Sequence, residues 1–236
     1  MKTVYITGCD RGLGLALAGT FVDEGFKVFA GSYIPDWPEL KELKNTAGKQ
    51  LYILPLDVTS DVSVQHAAEE IKRISPRLDV LINNAGIYTD QDGDAFEGFD
   101  FDAIRRMHET NTLGPLRVSQ SVLPLLMRGD NKLLVNISSE AGSITDCKRE
   151  KEYGYTMSKA ALNMQSVVLQ NQLKRFGIKV LAIHPGYVRS YMLGRFNTEA
   201  TVEAADSARG IVQQLFQQAL LDGPIFIDYQ GQRLDW

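Results

Sequence analysis

Tyr155 and Lys159 stand four residues apart in Tyr155-Thr156-Met157-Ser158-Lys159, and Ser139 opens the run Ser139-Glu140-Ala141-Gly142 a polar loop earlier. At a spacing of four, a phenol and an ammonium share one face of a helix. With a hydroxyl beside them they can move a proton to or from a carbonyl or alcohol oxygen. An unperturbed tyrosine has a pKa of about 10, too high for an efficient base near neutrality. A neighbouring ammonium lowers it, so Lys159 is expected to bring Tyr155 nearer to neutral pH. Alone, the pair is only an exposed helix contact. Tyr153, the competing phenol, has Met157 four residues on, where Tyr155 has Lys159.

The elements that must hold these side chains follow one rhythm. Strands are expected over Lys2–Thr7, Lys27–Ala30, Gln50–Leu54, Leu78–Ile82, Leu133–Ile137, Ile178–Ile183 and Ile225–Asp228. Between them, helical spacing covers Leu13–Glu24 (Leu13, Leu17, Phe21), Glu39–Asn45, Asp61–Ile74 with Asp61 as N-cap, and Phe99–Arg128 with a break near Gly114-Pro115. Two more helices are expected, over Tyr153–Phe176 and Thr201–Ala219. Strand–helix alternation implies a parallel sheet covered on both faces. The expectation is α/β: a single-domain, Rossmann-type, doubly wound parallel sheet of about seven strands spanning residues 1–236.

The first strand runs into Thr7-Gly8-Cys9-Asp10-Arg11-Gly12-Leu13-Gly14 and then a helix. Glycines there let backbone approach a pyrophosphate, and a helix N-terminus offers free N–H groups and a positive dipole. The plain alternative is a tight strand-to-helix turn that needs glycine.

The spacing T-G-x-x-x-G-x-G resembles the short-chain dehydrogenase/reductase family, and the resemblance recurs along nearly the whole chain. Asn83-Asn84-Ala85-Gly86, alone a turn, looks like the family's N-N-A-G after the fourth strand. Asp57 and Val58 follow the third strand, where the family contacts adenine. Pro185-Gly186 and Val188 follow the sixth, where the nicotinamide is capped. Ser139 before Glu140-Ala141-Gly142 matches the family serine better than Ser138. The resemblance implies that Asn111, Ser139, Tyr155 and Lys159 are catalytic. Tyr155 would act as general acid or base, Ser139 would hold the substrate oxygen, Lys159 would also bind the nicotinamide ribose, and Asn111 would hold a relay water. It implies dinucleotide contacts from Gly8, Asp10, Arg11, Gly12, Leu13, Gly14, Ser32, Asp57, Val58, Asn84, Ala85, Gly86, Tyr155, Lys159, Pro185, Gly186 and Val188. The finer features His184-Pro185-Gly186-Tyr187-Val188 and Asp228 to Trp236 look like the branch holding Sniffer-type carbonyl reductases and the C-factor proteins.

An acidic residue that binds the adenosine ribose would end the second strand. The chain has Gly31-Ser32-Tyr33 there, and Ser32 carries no charge to repel a 2′-phosphate. Arg11 could pair with that phosphate, so NADP is preferred over NAD. Asp10 would oppose it if turned inward, and Asp36 could fold back. The segment at about 187–205 is expected to be a lid over a small-molecule carbonyl or alcohol substrate. Its Tyr191–Asn197 run suggests a partly apolar one. Relatives dimerise through the two long helices, so a homodimer or homotetramer is expected.

The bulk properties narrow the field. Net charge is −4 over 236 residues, without the basic excess of a nucleic-acid binder. No apolar stretch nears the ~20 residues that span a bilayer. Cys9 and Cys147 form no redox or zinc pair, and His66, His108 and His184 show no metal-ligand spacing. The expectation is a cytoplasmic protein without a metal. The knot Lys148-Arg149-Glu150-Lys151-Glu152 is self-neutralising and reads as a solvated loop. Glu140 either faces solvent or selects a polar substrate.

The leading function is hydride transfer between NADP(H) and a carbonyl or secondary alcohol. One alternative is a dinucleotide-binding regulatory or signalling protein with little turnover. A sugar-nucleotide epimerase is another, but only about fifty residues follow Pro185-Gly186, too few for its substrate domain.

Overall fold

The computed structural model describes residues 1–192, 194–218 and 221–236. The first half comprises β1 (Thr3–Thr7), α1 (Gly12–Asp23), β2 (Lys27–Ser32), α2 (Pro38–Ala47), β3 (Leu51–Pro55), α3 (Asp61–Ile74) and β4 (Val80–Asn83). A short hairpin, β5 (Gly93–Asp94) and β6 (Gly98–Phe99), leads to α4 (Phe101–His108) and α5 (Gly114–Leu126). The chain closes with β7 (Leu133–Ile137), α6 (Tyr153–Leu173), β8 (Lys179–His184), α7 (Ala204–Gln218) and β9 (Ile225–Asp228).

Seven strands form one sheet in the order β3-β2-β1-β4-β7-β8-β9, with every pairing parallel. Both faces are dry because successive strand side chains point to opposite sides. Val4 and Ile6 of β1 join the core under α1, α2 and α7, with Leu17, Phe21, Leu40 and Ile211. Tyr5 and its register partner Phe29 pack on the other face with Val64, Ile71, Val118 and Val122 of α3 and α5. Each such buried apolar side chain contributes about 1.5–3 kcal/mol. The chain leaves β1 toward one edge and returns at β4 beside it. Between the carboxyl ends of β1 and β4 lies the crevice where doubly wound sheets take their ligands.

Two local expectations are corrected, and one element lies outside the sequence pattern. Ser60, not Asp61, caps α3: its Oγ accepts from the Ser63 amide at 3.3 Å, and Asp61 occupies the first turn, where its charge suits the helix dipole. No break separates α4 from α5; a single π-turn, Glu109–Leu113, joins them. Pro115 is its cause, because it has no N–H to give the carbonyl of Asn111 four residues back. The β5–β6 hairpin carries no strand pattern and is held by the Asp94 carboxylate, which accepts from the Phe96 and Glu97 amides. Ala219, the expected end of the last helix, lies outside the described residues, as does Leu193 of the segment after β8.

Candidate active site

The loops after β1 and β4 are stitched together first. Thr7 Oγ1 accepts from the backbone amides of Asn84 and Ala85, both at 3.0 Å. The Asn84 amide nitrogen donates back to the carbonyls of Thr7 at 2.9 Å and Gly8 at 3.1 Å. Gly14 cannot carry a side chain: a Cβ there would sit 2.0 Å from the Gly8 carbonyl oxygen. These contacts press the first turn of α1 onto the strand end. That helix starts without a side-chain cap and without an acid in its first turn, so its N–H groups stay available to an anion. The cradle fits a pyrophosphate.

A cavity of about 910 Å³ runs from this cradle to Tyr155. Gly8, Asp10, Arg11, Gly12, Leu13 and Gly14 line one end, with Asp57 and Val58 at its side. Asn84, Ala85 and Gly86 form the floor, and Pro185, Gly186 and Val188 face them. Ser139, Tyr155 and Lys159 close the other end. Two of the expected residues do not reach the wall. Ser32 is fully buried, and its hydroxyl donates to Asp10 Oδ1, which also accepts from the Ile34 amide at 2.8 Å. Asn111 is buried inside the π-turn. Its side chain accepts from the Ile87 amide at 2.8 Å and donates to the Ile87 carbonyl at 2.9 Å and to Ser158 Oγ at 3.1 Å. The amide of Asn111 is therefore spent on holding the β4 loop against α6. Asp57 Oδ1 accepts from the Thr59 amide and hydroxyl, and Asp36 pairs with Lys41, so it does not fold back toward Arg11.

Ser139 is aimed by the short 3-10 turn Glu140–Gly142, which its Oγ caps by accepting from the Ala141 amide at 3.1 Å. Gly142 lets that turn sit against α6: a Cβ would come within 2.6 Å of the Lys159 carbonyl carbon. Ser139 and Tyr155 both line the cavity. Ser138 points the other way, donating to Asn163 Oδ1 at 2.6 Å. Lys159 donates to the Ile137 carbonyl at 2.9 Å, with Nζ 5.7 Å from the centre of the Tyr155 ring. Burial lowers the Lys159 pKa to about 8. Burial also pushes Tyr155 up to about 12, although part of the ring faces the open cavity. Ser139 and Arg149 pull it back, and Glu140 and Glu152 push it further. The expected lowering by Lys159 is not what governs this phenol; desolvation outweighs it.

Sequence reasoning missed several groups. Asp92, buried in the loop before β5, caps α6 from outside by accepting from the Gly154 amide at 2.6 Å. Arg149 and Glu152 line the cavity, which adds to their reading as a solvated loop; Arg149, Lys148, Glu150 and Lys151 are all exposed, and Glu152 is half-buried. Tyr88 lies edge-on to Tyr155, ring centres 5.2 Å apart. Trp37 and Tyr191 take the Arg11 guanidinium over their rings at 4.9 and 5.3 Å. The sequence places Tyr191 in the lid, not as a partner of Arg11; the only signal the others gave was position, two to six residues from a motif or a chain turn.

A parallel α/β sheet with this crevice and this Ser–Tyr–Lys cluster defines a dinucleotide-dependent oxidoreductase, and the chain belongs to the short-chain dehydrogenase family, whose model matches residues 2–201. It is 32% identical over 218 residues to the 1-hydroxy-2-glutathionyl-2-methyl-3-butene dehydrogenase of a Rhodococcus species, covering 91% of each chain. The carbonyl reductase Sniffer of D. melanogaster superposes with a TM-score of 0.91 at 27% identity, over the whole of both chains. The NADPH-bound carbonyl reductase from chicken fatty liver superposes at 0.89 with 30% identity, covering 100% of this chain and 99% of that one. The protein is thus an oxidoreductase of this family. No helix among the described residues is long and apolar enough to cross a membrane.

Proposed function

We propose that the enzyme is an NADP(H)-dependent carbonyl reductase in which Tyr155 gives its phenolic proton to the substrate oxygen. The observation that carries this reading is that Ser139, Tyr155 and Lys159 line the same cavity as the glycine cradle. The bound dinucleotide would supply the hydride. Ser139 holds the carbonyl oxygen beside Tyr155, and the protonated phenol donates as alkoxide character develops. In the reverse direction Tyr155 takes the alcohol proton. Lys159 holds the ribose next to it and, when charged, helps the phenol part with its proton. With its side-chain amide engaged, Asn111 serves the proton relay through its backbone carbonyl.

The preference for NADP rests on Arg11. Its guanidinium lines the cavity next to Gly12 and pairs with no carboxylate among the described residues. Asp10 opposes a phosphate by charge, but its Oδ1 is tied to the end of β2. Tyr191, Met192 and Asn197 line the cavity, which supports the segment 187–205 as a lid over a partly apolar substrate. Leu116 of α5 and Met164 and Val168 of α6 are exposed, which supports a homodimer or homotetramer through these helices. We assign the enzyme to the reducing cytoplasm, where the unpaired thiols of Cys9 and Cys147 persist.

The test is a panel of aldehydes, ketones, quinones and secondary alcohols assayed by NADPH consumption or formation. Tyr155→Phe is expected to lower turnover by about 10²–10⁴-fold with NADPH affinity intact. Near-normal turnover in that variant would refute the assignment.

A further inference from the structure

Arg149 bridges two carboxylates over the catalytic phenol. Its Nη2 lies 2.6 Å from Glu140 Oε1 and its Nη1 2.5 Å from Glu152 Oε2. The other Glu152 oxygen accepts from the Tyr88 hydroxyl at 2.7 Å. Tyr88 in turn packs its ring edge against Tyr155. Glu140 directly follows Ser139, and Glu152 stands three residues before Tyr155 as the N-cap of α6. Glu152 has φ +68°, a left-handed conformation that a side-chain-bearing residue rarely adopts. Such strain persists only where the surroundings hold it, and here Arg149 and Tyr88 do so. Both ends of the β7–α6 connection thus meet on one guanidinium, and Tyr88 of the loop after β4 joins them through Glu152.

We propose that Arg149 is a positioning residue for the reaction: it locks Glu140 and Glu152 into one rim and thereby sets both the Ser139–Tyr155 geometry and the charge around the phenol. The inference rests on the assignment of Tyr155 as acid and base. The groups that surround Tyr155 can be named element by element. The turn after β7 offers Ser139 and Glu140, the loop before α6 offers Arg149 and Glu152, and the loop after β4 offers Tyr88. From α6 comes Lys159, and His184 at the end of β8 lines the same cavity. Two carboxylates face one guanidinium in the rim. Without Arg149 both would act on the phenol uncompensated and disfavour the phenolate. The geometric part is separable: a lysine keeps the charge but cannot reach two carboxylates with a planar fork.

The test uses the NADP⁺-bound enzyme and four variants: Arg149→Met, Arg149→Lys, Glu140→Gln and the double variant Arg149→Met/Glu140→Gln. Two quantities are read: the pH midpoint of alcohol oxidation, and the phenolate absorbance that Tyr155→Phe removes. Arg149→Met is expected to raise both midpoints by about half a unit to one unit, the effect of a partly screened charge. It should lower kcat for carbonyl reduction about tenfold with NADPH affinity within about twofold. Arg149→Lys should return the midpoint but not kcat, and the double variant should return the midpoint. Glu140→Gln alone should lower it. Unmoved midpoints in Arg149→Met, or in Glu140→Gln should the methionine variant not fold, overturn the proposal. So does a tenfold loss of NADPH affinity in a folded Arg149→Met, which would mark a general structural role. If the wild type shows no Tyr155-dependent turnover, the reductase assignment fails, and the rim is still judged by the absorbance titration.

Discussion

Replacing Lys159 by methionine is expected to abolish turnover and yet make the cofactor-free protein more stable at neutral pH. Lys159 is 4% exposed, and burial takes its pKa from 10.5 to about 8. At about 1.4 kcal/mol per pH unit, the charged ammonium destabilises the folded state by about 3 kcal/mol. The hydrogen bond to the Ile137 carbonyl returns about 1 kcal/mol, and methionine fills a similar volume, so the net gain is about 1–2 kcal/mol. For a chain of this length that is a rise of about 2–8 °C in Tm. The pH dependence carries the proof. Below pH 8 the lysine is charged in both states and the penalty is complete. Between pH 8 and 10.5 the unfolded chain holds the proton that the folded chain has released, so the wild type gains stability as pH rises. The advantage of the variant must therefore shrink across that window and turn above it into a deficit of about 1 kcal/mol, where only the lost hydrogen bond to Ile137 counts. Thermal or urea unfolding at pH 7 and pH 10 without cofactor reads both values. A variant that is less stable at pH 7, or whose advantage does not change with pH, would refute a buried, charged Lys159.

Arg11→Ala should lower kcat/KM for NADPH by about 10–100-fold, the worth of a charge-assisted phosphate contact, and leave NADH within about twofold; equal losses for both cofactors would exclude a phosphate contact. Asp10→Asn should raise the NADPH-to-NADH ratio of kcat/KM about three- to tenfold by removing a like charge near the second strand end, and a fall in that ratio would show that Asp10 helps to hold the phosphate loop for NADPH. Gly14→Ala places a carbon 2.0 Å from the Gly8 carbonyl oxygen, so dinucleotide binding measured by fluorescence titration should be lost along with several degrees of Tm; intact binding would mean that the cradle is not formed as described.

The sheet was legible because each strand is a short apolar run bounded by turn residues, and β7 and β9 fall where the pattern puts them. Its parallel, doubly wound character was legible because parallel strands need crossovers, and the helices between them show apolar residues at helical spacing. Ser139, Tyr155 and Lys159 were legible for a different reason, since helix geometry and a turn bring them together from within twenty-one residues of chain. What stayed hidden depends on side chains meeting across distant loops. Arg149 reaches Glu140 and Glu152 through a segment with no periodicity, so its charge pattern alone looked like a solvated surface. Asp92 caps α6 from sixty-two residues away, and no local signature marks such a cap. Asn111 sits in a π-turn whose cause, Pro115, was visible, but a proline signals a break as readily as a widened turn.

The burial that keeps the site dry acts on its two titrating groups in opposite directions, and both effects favour the uncharged forms. For Tyr155 this suits the acid role, since a phenol near pKa 12 is fully protonated at neutral pH and ready to donate. The base role is harder, because the phenolate must then form next to Glu140 and Glu152. Ser139 offsets part of that by pulling the phenol down, and Arg149 offsets part by pairing with Glu140 in the rim. Lys159 can help only while it keeps its proton, which it does progressively less above pH 8. The protein's own groups therefore set an asymmetry. Reduction draws on the state the folded site already prefers, whereas oxidation depends on charges that the rim and the lysine must balance against desolvation.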